Sequence, residues 1–144
     1  MHLDRLKTLR DLMAATPDDK IDMNYWRREP GAIFDPNTLN APTCGTVACM
    51  LGWACMNPEF QTLGLHFEHD SVSLYPEYNG RSSAGAGAEF FDLEPKISRL
   101  LFDAASRQEL AERGSHKAVA LARLDELLET GTLHDPDYYD PSGD

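Results

Sequence analysis

The chain has 144 residues, 42% hydrophobic and 26% charged, a length and balance that suit one globular domain with its own core and exclude wholesale disorder. Thirteen Lys and Arg against twenty-four Asp and Glu give a formal charge of -11, so most of the surface repels a phosphate backbone and no direct nucleic-acid binding is expected. The N-terminus, MHLDRLKTLRDLM, is charged throughout and reads as neither signal peptide nor anchor, and no stretch has the length of a membrane span. Three cysteines, an odd number without an export signal, read as reduced thiols in a cytoplasm.

Leu3, Leu6, Leu9, Leu12 and Met13 recur at helical spacing among Asp4, Lys7, Arg10 and Asp11, predicting an amphipathic helix that stops at Thr16-Pro17. Ile21, Met23, Tyr25 and Trp26 fit either a short extended piece or a single turn. Residues 29–43, EPGAIFDPNTLNAPT, read as a long irregular loop, of the kind that often carries function or wraps the core.

Cys44 to Met56, CGTVACMLGWACM, is apolar from Val47 onward except at Gly52. It predicts a buried central helix with its start at Cys44-Gly45-Thr46 and Thr46 as cap. Asn57-Pro58-Glu59 predicts the next helix start and Gly64 its end. Leu65 to Glu68 and Val72 to Tyr75 alternate as a small hairpin, and Pro76 to Ser83 reads as a loop. Ala84 to Phe91, AGAGAEFF, predicts a closely packed short helix, although each glycine costs roughly 1 kcal/mol against alanine.

Glu94-Pro95 begins a further helix with Ile97, Leu100, Leu101 and Phe102 as its apolar face. Ser106 with Glu109 forms a capping box for the helix that Gly114 interrupts. Ser115 caps the last helix, in which Val119, Leu121, Leu124, Leu127 and Leu128 face the core before Gly131 ends it. The tail after Gly131 is acidic and is expected to be mobile. The fold class is therefore mainly α (α+β): a small helical bundle around a buried central helix with a short β-hairpin, residues 1–131 as one domain and residues 132–144 as the tail.

Candidate chemistry centres on Cys44. Just ahead of a helix N-terminus, a thiol gains from exposed amides and the helix dipole, and could act as a nucleophile given His66 or His69 (less readily His116) as base. The competing reading makes Cys44 and Cys49 small buried hydrophobes, with Cys55 in the core. Cys44, Cys49, His66 and His69 are the residue types of a zinc site, but Cys-x4-Cys is at the edge of the usual spacing and His-x2-His on a strand points its side chains to opposite faces. Gly85 and Gly87 lack the strand and lysine of a phosphate loop. Trp26 and Trp53 read as core aromatics. No cofactor is expected.

Cys44-Gly45-Thr46-x-x-Cys49-x-x-Gly52-Trp53-Ala54, with Gly64-Leu65, Ala88-x-Phe90-Phe91-x-Leu93, Leu101-Phe102 and a last helix ending in Thr130-Gly131, resembles an uncharacterised family of small phage and bacterial proteins marked by C-G-T-x-x-C-x-x-G-(W/H)-A. The resemblance covers residues 3–131 and brings no catalytic role. It implies a phage-type accessory protein that binds host, replication or defence proteins. The expected function is thus a non-enzymatic modulator or inhibitor of a protein with a basic surface, such as a nucleic-acid-binding host protein, through the loop of residues 29–43 or the acidic C-terminal part. The alternative is a thiol-dependent hydrolase or transferase with Cys44 as nucleophile; self-association into a homo-oligomer stays open.

Overall fold

The computed structural model describes residues 1–28, 39–71 and 73–135. Helix α1 spans Leu3–Ala15 and buries Leu6, Leu9 and Met13, the inner stripe of the predicted pattern. It opens where the His2 ring accepts the Arg5 amide. It closes at Thr16, whose hydroxyl donates to the Leu12 carbonyl at 2.7 Å, before Pro17 forbids a further turn.

The next segment is both turn and extended chain. A 3-10 turn, Asp18–Lys20, leads into Ile21, which bridges Ala48 in parallel, while Arg28 bridges Val47 antiparallel. These bridges correct the predicted central helix. The Val47 amide donates to the Arg28 carbonyl, the Ala48 amide to Lys20 and the Cys49 amide to Tyr25, so the first donors of the apolar run are taken by distant backbone. Helix α2 is therefore Met50–Cys55, not a helix from Cys44. Its cap is Cys49, whose sulfur accepts the Gly52 amide at 3.3 Å. Thr46 does not cap it; fully buried, it accepts the Thr43 amide at 2.8 Å and holds the preceding turn.

The shortened α2 is still central. Met50, Leu51, Gly52, Ala54 and Cys55 are buried, and Trp53 donates its indole N–H to the Lys20 carbonyl at 2.9 Å. Gly52 is required by close approach, because a Cβ there would fall on the Trp26 carbonyl. The backbone of residue 26 thus rests directly on α2.

Asn57 caps α3, Pro58–Thr62, by accepting the Phe60 amide at 3.1 Å, with Pro58 in the first turn as predicted. A three-stranded antiparallel sheet follows, in the order β1-β2-β3: His66–His69, Leu74–Tyr78 and Arg81–Ser82. The stretch Pro76 to Ser83, predicted as a loop, instead carries the second half of β2 and all of β3. Pro76 pairs with Phe67, and both are buried, so the proline lies on the core face of the hairpin. The same register places His66 opposite Glu77 and Glu68 opposite Tyr75 on the other face.

Helix α4 is Ala84–Phe91. Its small residues admit α5, Pro95–Phe102; a Cβ on Gly87 would lie 2.5 Å from the Phe102 ring. Phe60, Phe90 and Phe91 meet edge to face at centroid distances of 4.9 to 5.8 Å, Tyr78 joins Phe90 at 5.1 Å, and the Arg5 guanidinium lies 4.3 Å over the Phe90 ring. In α5 the buried positions are Ser98, Leu101 and Phe102, whereas Ile97 and Leu100 pack at the rim.

The predicted capping box holds α6, Arg107–Arg113, and Gly114 ends it in a left-handed conformation. Ser115 caps α7, His116–Thr130, which packs on α1 and is tied to it by the Arg10–Asp125 ion pair at 2.7 Å. Val119, Ala120, Leu124 and Leu127 are buried, while Leu121 and Leu128 are only partly so. The packing continues past Gly131. Leu133 is 7% exposed and joins the core, and the His134 ring lies 2.8 Å from Glu126. Residues 132–135 of the expected tail thus lie against the domain, and the rest of the expected tail lies outside the described residues, as does most of the expected loop, residues 29–38.

Candidate functional site

The thiol reading depends on which cysteine occupies the helix start. That residue is Cys49, which is 1% exposed. Burial pushes its thiol up to about 12, although the Gly52 amide bond pulls the other way. Cys55 is raised well above its ordinary value, first by burial and then by Cys49 nearby. Both are core residues at neutral pH. Cys44 is exposed, which overturns its reading as a buried hydrophobe, but it precedes the helix by a turn and two bridged residues. Its carbonyl accepts the Lys20 ammonium at 2.6 Å.

Each candidate base has bonding partners of its own. The Nδ1 of His66 lies 2.8 Å from the Gly64 carbonyl and its Nε2 lies 3.1 Å from Glu68 Oε1. The Nδ1 of His69 lies 3.4 Å from the Asp70 carbonyl. His116 accepts the Met23 amide at Nδ1 and turns Nε2 toward Asp22 at 3.6 Å. The four residues of the zinc reading do not assemble either: Cys49 is in the core, Cys44 is exposed, and the pairing puts His66 and His69 on opposite faces of β1.

The structure brings together a different set, which the chain order hid. His66, Glu68 and Glu77 each offer one ligand atom, and these atoms lie within 4.8 Å of one another. Two come from alternate positions of β1 and the third from the residue directly across in β2. All three are half-buried. Glu77 also borders an open groove of about 540 Å³ lined further by Trp26, Tyr75, Asp70, Ser73 and Ser82. The alternation of His66 and Glu68 is visible in the sequence; the place of Glu77 is not, because Pro76 to Ser83 reads as a loop.

The other conspicuous electrostatic feature concerns the cations. Arg5 donates to the Phe90 carbonyl, Lys20 to Cys44, Arg27 to Leu39 and Ala41, and Lys117 to Ala14 and Thr16. Arg123 donates to the Leu101, Asp103 and Ala104 carbonyls and to both oxygens of Glu109. Burial alone would raise the Glu109 carboxyl, but the Arg123 and Ser106 hydrogen bonds and the Arg123 charge hold it below its ordinary value.

Comparison with family models, curated proteins and solved structures gave no match to this chain. Among the described residues, no helix is long and apolar enough to cross a membrane.

Proposed function

We propose that the protein is a non-enzymatic, acidic accessory protein that binds a protein partner through charge complementarity and so modulates or inhibits it. One observation carries this reading. Of thirteen basic side chains, at least five donate to backbone carbonyls of the described residues, while most carboxylate residues among the described residues are exposed. With part of the basic minority engaged in internal capping and a formal charge of -11, the outer field is dominated by Asp and Glu. A partner with a basic surface, such as a host protein whose groove holds nucleic acid, suits that field. The motif resemblance supports a phage or bacterial accessory context, and three free cysteines support a cytoplasmic one.

The test is affinity capture from bacterial lysate on the immobilised full chain, with elution by a salt gradient and, in parallel, by duplex DNA as competitor. A discrete partner released by both supports the reading, since screening and phosphate competition act on the same contacts. Capture of nothing specific, or of a partner indifferent to salt and DNA, refutes it.

The thiol alternative keeps one observation in its favour, the exposure of Cys44. An activated nucleophile must react faster than a free thiol. Alkylation of Cys44 by iodoacetamide no faster than that of glutathione at the same pH ends that alternative.

A further inference from the structure

The outer face of the β1-β2 hairpin carries three donors of a metal-ligand type on a rigid support. Phe67 and Pro76 anchor the opposite face in the core, so the backbone under His66, Glu68 and Glu77 is fixed by packing. A bound zinc-class ion needs donors about 2.0–2.2 Å from it, hence roughly 3.4 Å from one another in a tetrahedral shell. Donors already within 4.8 Å reach that spacing by small side-chain rotations on a fixed backbone.

His66 is oriented from both ring nitrogens. The Gly64 carbonyl lies 2.8 Å from Nδ1 and the Glu68 carboxylate 3.1 Å from Nε2; both partners are acceptors, so Nδ1 faces the backbone and Nε2 is turned into the cluster, where a metal ion would take the place of the proton toward Glu68. A backbone carbonyl holding the far nitrogen is the usual outer-shell device that orients an imidazole on a metal. Glu77 brings a second carboxylate to the same point, and a divalent cation answers both charges at once.

We propose that His66, Glu68 and Glu77 bind one divalent transition-metal ion of the zinc class, with coordination left open to water. One imidazole and two carboxylates are ligands such an ion accepts, and three protein donors with an open position are the arrangement of non-structural zinc sites. The site is independent of the proposed partner binding: it lies on the hairpin face and uses none of the cysteines.

The experiment is calorimetric titration of ZnCl2 into the full chain stripped with EDTA and dialysed, with Co2+ absorbance as a second readout of coordination. The expected result is one ion per chain, bound at least 10-fold more weakly by Glu77→Gln. Cys44→Ser should leave binding unchanged, and the Co2+ spectrum should lack thiolate charge transfer. His66→Gln gives a second reading if Glu77→Gln fails to fold. Substoichiometric binding, binding indifferent to both ligand variants, or binding abolished by Cys44→Ser overturns the assignment.

Discussion

Gly52→Ala is the sharpest probe of how the central segment is built. By helix propensity alone alanine is better than glycine by about 1 kcal/mol. In α2 the added Cβ meets backbone: it falls on the Trp26 carbonyl oxygen, with the Trp26 carbonyl carbon at 3.0 Å and the Ala48 Cβ at 3.1 Å. Trp26 sits between the Ile21–Ala48 and Arg28–Val47 bridges, so the obstacle cannot swing aside as a side-chain end would. Overpacking typically costs about 1–3 kcal/mol, and a fixed carbonyl places this site at or above the top of that range. After the propensity gain the net loss is about 2 kcal/mol, or roughly 4–8 °C in Tm for a domain of this size. Gly85→Ala is the internal control. There the nearest atom to the new Cβ is that of Arg81 at 3.9 Å, an ordinary contact, so the same substitution should stabilise by roughly 0.5 kcal/mol. Thermal and urea unfolding followed by far-ultraviolet circular dichroism reads both. A Gly52→Ala protein as stable as the parent, or two variants that shift in the same direction, would refute the close approach.

Arg123→Met should cost about 2–3 kcal/mol in urea unfolding, because it uncovers the carbonyls at the end of α5 and strands Glu109, whose side chain is 22% exposed. Since the folded-state carboxyl of Glu109 lies below its ordinary value of 4.5, its contribution is present above that value and is lost as pH falls through the lower folded value; Glu126, lowered by His134 against its own burial, behaves alike. Unfolding free energy measured downward from pH 5 should fall steeply in the parent and less steeply in Arg123→Met, and parallel curves would contradict the Glu109 part of this account. Iodoacetamide at pH 8 should give a single adduct at Cys44 in the folded chain and three after denaturation, by mass spectrometry; rapid folded-state labelling of Cys49 would mean that α2 opens. Leu133→Ala should lower stability by about 1–2 kcal/mol, whereas an unaffected Tm would mean that the packing of residue 133 adds nothing to the fold.

The sequence by itself determined most element starts and stops, because those signals are local. Asn57-Pro58, the Ser106 and Glu109 box, Ser115 and the glycines at 114 and 131 each act within one turn of the backbone, and α1 and α7 follow from a period that any partner surface would satisfy. The succession of those helices likewise points to the mainly α fold class. Two things were decided only by tertiary structure. The first is where α2 begins: Val47, Ala48 and Cys49 have an apolar pattern that suits a helix, but residues 20–28 take their amides, and such pairing between distant residues leaves no mark in either segment. It moved the helix start from Cys44 to a buried thiol and removed the dipole argument for catalysis. The second is the convergence of His66, Glu68 and Glu77. A strand's alternation shows which residues share a face, while the residue across the ladder depends on register. That register was set here by burying Phe67 against Pro76, in a stretch whose proline and glycine read as a loop.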